Sequence, residues 1–203
     1  MEWIPRYHFI NYLIDKYDYK TYLEIGVNHG ECIDKININV KDGVDPVKNA
    51  RLVNYEMTSD DFFAGVGKDK KYDIIFIDGL HLHEQVIKDI NNSLNALNKN
   101  GIILLHDCCP MEEIWQVREH VIGRPWNGDV WKSILHFRKT REDLYMCTID
   151  SDYGIGVIAR GEQDLFKDDL NISEVGEYTY EFLDKNRKEL LNLISVADFY
   201  SIF

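Results

Sequence analysis

Residues 72–107 read YDIIFIDGLHLHEQVIKDINNSLNALNKNGIILLHD. Tyr72–Ile77 and Ile102–Leu105 are apolar with almost no alternation. A run of that kind suits a strand covered on both faces, as in a parallel sheet. His83–Leu97 between them has helical spacing, and Asn98, Asn100 and Gly101 stop it. Strand, helix and strand in that order make one β-α-β unit.

The same alternation extends in both directions. Upstream, the pattern predicts a helix over Tyr7–Tyr17 and a strand over Thr21–Ile25. A helix follows over Gly30–Ile38 with Cys32, Ile33 and Ile36 inward. A second strand ends at Gly43–Asp45 before Pro46, and a weak third lies within Arg51–Met57. Downstream, helices are expected over Met111–Ile122, closed by Gly123, and over Val130–Phe137. Leu144–Ile149 and Gly154–Ala159 read as strands joined by Asp150–Tyr153, hence an antiparallel hairpin. Residues 161–177 are acidic and weakly patterned, and Glu181–Val196 reads as an amphipathic helix packed on the domain. The sum is an α/β chain with an open, mostly parallel sheet and helices on both faces. Ligands in such sheets bind beyond the carboxyl ends of the strands.

Composition narrows the class. The 203 residues are 45% hydrophobic and 29% charged, which excludes intrinsic disorder. The length suits one domain, 1–203. No uncharged apolar run is long enough to span a membrane. The opening MEWIPRYHFINYLIDKYDYK lacks the basic start and apolar middle of a secretion signal, so a cytoplasmic setting is expected. Cys32, Cys108, Cys109 and Cys147 lack zinc-site spacing and read as reduced thiols. The formal net charge of −12 disfavours nucleic acid and anionic membranes as partners.

The turn after the first strand reads Glu24-Ile25-Gly26-Val27-Asn28-His29-Gly30-Glu31. Glu24-x-Gly26-x-x-x-Gly30 differs from the G-x-G-x-x-G of nicotinamide and flavin proteins. Glycine there lets the backbone approach a ligand, and His29 lies in the same turn. Asp45, ending the second strand, can accept both hydroxyls of a ribose. In Thr58-Ser59-Asp60-Asp61 an aspartate can meet an adenine amino group. Helix N-capping accounts equally well for Ser59 or Asp60. Asp78 and Asp107 follow adjacent strands and can face one oxygen-seeking cation such as Mg²⁺. His106 ends an apolar strand, either against the site or as a core histidine. His83 and Glu84 begin the helix beyond. The loop around Trp126, Asp129 and Trp131 pairs aromatic faces with a carboxylate, the groups that bind sugar rings.

These segments resemble the class I S-adenosylmethionine-dependent methyltransferases over about Tyr22–Arg160. FIDGLHLHEQVIKDI, NGIILLHDCCP and WNGDVWKSI resemble, more narrowly, small O-methyltransferases acting on sugars. The resemblance implies a Rossmann-like, seven-stranded sheet with the closing hairpin. It implies an N-terminal helix over 1–20, a cofactor-binding core over 21–160 and an extension over 161–203. Glu24, Gly26, His29, Gly30, Asp45, Ser59, Asp60 and Asp78 would contact S-adenosylmethionine. His81 would be the general base, with Asp78 holding metal or orienting His81 or the hydroxyl. Mg²⁺ would sit at Asp78 and Asp107, and His106, Trp126 and Asp129 would face a sugar or glycoside acceptor. Catechol-type relatives carry Asp-Asn where this chain has Asp107-Cys108, and a thiol is a poor ligand for a hard cation. A homodimer is left open. The alternatives are a Mg²⁺-dependent, catechol-like phenol O-methyltransferase and a non-catalytic module that keeps the cofactor pocket.

Overall fold

The computed structural model describes residues 3–203; Met1 and Glu2 of the expected N-terminal segment lie outside the described residues. The elements are α1 (Arg6–Tyr17), β1 (Thr21–Ile25), β2 (Val40–Asp45), β3 (Tyr55–Glu56), α2 (Ser59–Ala64), β4 (Tyr72–Ile77) and α3 (His83–Ala96). They continue with β5 (Leu97–Leu105), α4 (Trp131–Thr140), β6 (Leu144–Ile149), β7 (Ile155–Arg160), α5 (Tyr180–Leu190), β8 (Leu193–Ile194) and α6 (Val196–Ile202). Among the described residues, no helix is long and apolar enough to cross a membrane.

The strands form one eight-stranded sheet in the order β3-β2-β1-β4-β5-β7-β6-β8. β3 to β5 run parallel, while β7 is antiparallel to both β5 and β6. The expectation was seven strands. The eighth arises because Asn192, in the left-handed region at φ 43°, ends the helix expected to reach Val196. The chain then lays Leu193–Ile194 beside β6. A capping box between Ser195 and Asp198 starts a new helix.

The apolar strands are apolar because both faces are covered. Ile75, Ile77, Ile103 and Leu105 pack with Val86, Ile90, Trp131, Ile134 and Leu183 on one side. Ile74, Phe76, Ile102 and Leu104 meet Phe9, Leu13 and Phe199 on the other. Successive side chains of a strand alternate between faces, so each helical layer takes every second residue.

Two expected helices do not form. At Gly30–Ile38 there is only one 3₁₀ turn, Ile33–Lys35. The ammonium of Lys41 binds the Ile33 and Ile36 carbonyls at 2.7 and 3.0 Å, and Asn11 binds Lys35 O at 2.8 Å. Side chains of β2 and α1 thus hold the carbonyls of this irregular segment. Cys32, Ile33 and Ile36 are nevertheless buried, as expected. Over Met111–Ile122 only Glu113–Trp115 makes a turn. Met111, Ile114, Val121 and Ile122 are exposed, so no apolar stripe drives a helix there. The carbonyl of Trp115 instead accepts Asn127 N–H at 2.8 Å, and Val117 O accepts the Trp126 indole at 2.7 Å.

The strand order reverses between β1 and β4, and there the carboxyl ends are level. Gly26 N–H bonds Val44 O at 2.9 Å, Asp78 N–H bonds Ile25 O at 2.8 Å and His106 N–H bonds Ile77 O at 3.0 Å. One shelf of backbone therefore presents Gly26, Asp78 and His106 together.

Candidate active site

A cavity of about 1040 Å³ opens over this shelf. That is the size of a site for a large cofactor with an acceptor beside it. The ends of β1, β2, β4 and β5, the start of α2, the 125–126 loop and the β6–β7 turn line it. Glu24, Gly26, His29, Asp45, Ser59, Asp60, Asp78, His81, His106, Asp107 and Trp126 all reach it.

Gly26 has φ 85°, and a Cβ there would lie 2.2 Å from Asp78 O. Only glycine fits this seam. Gly30 shapes the same turn at φ 83° without lining the cavity. The Asp45 carboxylate accepts Asn28 N–H and Val47 N–H, each at 2.8 Å. A carboxylate has about four acceptor sites, so capacity remains for ribose hydroxyls. Thr58, not Ser59 or Asp60, caps α2, accepting Asp61 N–H at 3.1 Å. Ser59 and Asp60 are instead gathered by the Gln85 amide, at 3.3 and 3.0 Å. Glu24 is a buried part of the cavity lining and accepts a hydrogen bond from the Tyr22 hydroxyl. Burial pushes its carboxyl up to about 8, against the lowering effect of that bond.

Asp78, His81, His106 and Asp107 converge at the other end. His81 Nδ1 lies 2.9 Å from the Trp126 carbonyl and 3.4 Å from Asp107 Oδ2, and its Nε2 lies 3.5 Å from Asp78 Oδ1. A carbonyl can only accept, so Nδ1 carries a proton in either charge state; Nε2 is then the basic nitrogen of neutral His81 and donates toward Asp78 when the ring is protonated. The loop seats the ring closely: Asp129 N–H bonds His81 O at 3.1 Å, and a Cβ on Gly128 would lie 1.9 Å from that oxygen. Burial lowers the His81 pKa, but the bond to Asp78 and the charges of Asp107 and Asp78 outweigh it, and the net direction is up.

His106 is buried, with Nδ1 3.0 Å from Asp107 Oδ2 and 3.2 Å from Asp78 Oδ1, and Nε2 3.4 Å from Asp152 Oδ1. Burial opposes its charge, but these carboxylates hold its pKa well above the usual imidazole range. Burial likewise raises Asp78, yet the charge and hydrogen bond of His106, the bond to His81 and the charge of Arg6 hold it well below the carboxylate range. Asp107, at φ 62°, is fixed by the Asn127 amide at 2.9 Å.

Of the residues expected to face the acceptor, His106 and Trp126 border the cavity. Asp129 does not line the cavity. Its buried carboxylate accepts His83 N–H at 2.7 Å, meets His83 Nδ1 at 2.8 Å and accepts Arg118 at 2.7 Å. It ties the first residue of α3 to the loop before α4. Trp126 does border the cavity, but His81 stacks on it at 4.7 Å and His120 lies 5.7 Å from its ring centre. The cavity lining also holds the edge-on aromatic pair Trp3 and Tyr153, 5.0 Å apart.

Arg6, Asn127 and Asp152 were not anticipated. Asp152 stands in a turn of three residues with positive φ, Asp152, Tyr153 and Gly154. That D-Y-G turn after a strand was the one available signal. Arg6 belongs to no motif.

The residues suit both implied groups. The glycine seam and Asp45 suit a nucleoside cofactor. Ligand atoms of Asp78, His81 and Asp107 lie within 4.8 Å of one another, and two carboxylates are what a hard divalent cation seeks. Cys108 does not join them: its thiol is buried toward the Leu105 and His106 carbonyls at 3.8 and 3.5 Å.

Comparison with known proteins agrees with this fold. Residues 34–108 match the family model of a methyltransferase domain. No curated protein sequence matches significantly. The O-methyltransferase from Bacillus cereus in complex with S-adenosylhomocysteine superposes with a TM-score of 0.56 at 13% identity, over 78% of this chain and 83% of that one. TomG, an O-methyltransferase of Streptomyces achromogenes involved in tomaymycin synthesis, gives 0.58 at 10% identity, over 79% and 81%. The MycE methyltransferase of the mycinamycin pathway, in complex with Mg, S-adenosylhomocysteine and mycinamycin VI, gives 0.50 at 13% identity, over 82% and 50%. The chain has the class I fold of the S-adenosylmethionine-dependent methyltransferases and, over residues 34–108, the sequence pattern of a methyltransferase domain.

Proposed function

We propose that this protein transfers a methyl group from S-adenosylmethionine to a hydroxyl of a sugar, in a glycan or a glycosylated metabolite. The observation that carries the reading is His81, on the cavity wall with Nδ1 2.9 Å from the Trp126 carbonyl and Nε2 3.5 Å from Asp78 Oδ1. A sugar hydroxyl is a poor nucleophile until it loses its proton, so the site needs a positioned base. His81 Nε2 takes that proton. Asp78 Oδ1 orients the hydroxyl or the resulting imidazolium, and Asp45 holds the ribose. The cofactor, when bound, supplies the electrophilic methyl carbon, and alignment with the acceptor oxygen provides a large part of the rate. Asp78 and Asp107 would hold a divalent cation, whose charge would ease ionisation of the hydroxyl.

The sugar as acceptor is supported by the resemblance of the strand-end motifs and by the aromatic pair Trp3 and Tyr153 in the cavity lining. The convergence of Asp78, His81 and Asp107 also supports a second reading, a Mg²⁺-dependent phenol O-methyltransferase. A screen of methyl transfer to matched glycosides and catechols, with and without chelator, separates the two. Turnover of glycosides supports the proposal, and turnover confined to catechols overturns it.

A further inference from the structure

The carboxylate of Asp78 is held by Arg6, which lines the same cavity. Arg6 Nη1 donates to its Oδ2 at 2.6 Å. The same guanidinium holds Asp152, Nε to Oδ2 at 3.0 Å and Nη2 to Oδ1 at 3.3 Å, and Arg6 N–H reaches Oδ2 at 2.7 Å. His106 spans the same two carboxylates from the other side, at 3.2 and 3.4 Å. Arg6, Asp78, His106 and Asp152 thus close a ring in which donors alternate with acceptors. With Oδ2 occupied, Asp78 presents Oδ1 toward His81 Nε2.

The segment before Arg6 is fastened to the same turn without the guanidinium. Ile4 N–H bonds Ser151 Oγ at 2.8 Å, and that hydroxyl donates back to Ile4 O at 3.1 Å. Helix α1 is buried through Phe9, Ile10, Leu13 and Ile14. Anchoring α1 therefore does not require the guanidinium. Its distinctive capacity is to bridge two carboxylates with one rigid planar fork, which a lysine cannot do.

We propose that Arg6 is a positioning residue for methyl transfer, fixing the Asp78 carboxylate so that its Oδ1 and His81 Nε2 form one seat for the acceptor hydroxyl. This rests on the methyl-transfer reading. A misplacement of about 1 Å in such a seat can cost on the order of a hundredfold in rate.

The test compares wild type, Arg6→Ala and Arg6→Lys with whichever acceptor turns over best, and measures S-adenosylhomocysteine affinity calorimetrically. Arg6→Ala should lower kcat about ten- to a hundredfold while cofactor affinity stays within about threefold. Dilute guanidinium should restore part of its rate. Arg6→Lys keeps the charge and guards against a misfolded alanine variant, and it should remain well below wild type in kcat. Variants that match wild type in kcat overturn the inference alone. So does a loss of kcat that follows loss of cofactor affinity or thermal midpoint and does not respond to guanidinium. A wild type that methylates nothing in the screen overturns the methyl-transfer reading, and this inference with it.

Discussion

The ring of His81 lies against the indole of Trp126, 4.7 Å between centres and 26° from parallel, while its Nδ1 meets the carbonyl of that same residue at 2.9 Å. One residue thus sets both the plane and the tautomer of the candidate base. The other ring nitrogen lies 3.5 Å from Asp78 Oδ1.

If His81 is that base, His81→Ala should lower turnover by roughly a hundred- to ten-thousandfold, the usual worth of a general base. Affinity for S-adenosylhomocysteine should barely move, because the residue serves the acceptor. Rates at saturating acceptor, with calorimetric binding alongside, check this. A variant turning over at nearly the wild-type rate would mean another group takes the proton.

Asp45 bonds two backbone amides and faces the cavity. Asp45→Ala should weaken S-adenosylhomocysteine binding by about 1.5–3 kcal/mol, the worth of a hydrogen bond to a charged group. Asp45→Asn, which can still accept one amide, should lose less. Unchanged calorimetric affinity in the alanine variant would reduce Asp45 to a turn residue.

Glu24 should make stability depend on pH. Its carboxyl titrates near 8 when folded, well above the ordinary value of about 4.3. The folded state therefore keeps a proton that the unfolded chain releases. The favourable contribution is complete below the unfolded value and is lost as pH rises through the folded one. Wild type should lose thermal stability relative to Glu24→Gln between about pH 5 and about pH 9. Parallel midpoints for the two proteins across that range would contradict the assignment.

A divalent cation at Asp78 and Asp107 can be tested without turnover. Mn²⁺ added to the protein should lose its free-ion resonance signal on binding, and Asp107→Ala should restore it. In wild type, chelation should lower methyl transfer and Mg²⁺ should recover it. A free-ion signal undiminished by wild-type protein would remove the metal from this site.

The sequence by itself determined the layered parallel sheet and the level at which the site lies. Tyr72–Ile77 and Ile102–Leu105 are apolar on both faces because helices cover both. Asp78, His81 and Asp107 follow from those strands by simple adjacency, as Gly26 and Asp45 follow from β1 and β2. What depended on distant partners was not legible. Lys41 and Asn11 bind carbonyls of the segment after Gly30, and the 126–128 loop binds those of Trp115 and Val117. Local spacing carries no record of such distant partners. Asp129 turned inward because His83 and Arg118 offered it three donors. Arg6 and Asp152 are separated by 146 positions yet share a bidentate ion pair beside Asp78. Only the closing of β7 against β5, which brings the β6–β7 turn over the strand ends, places those two charges together.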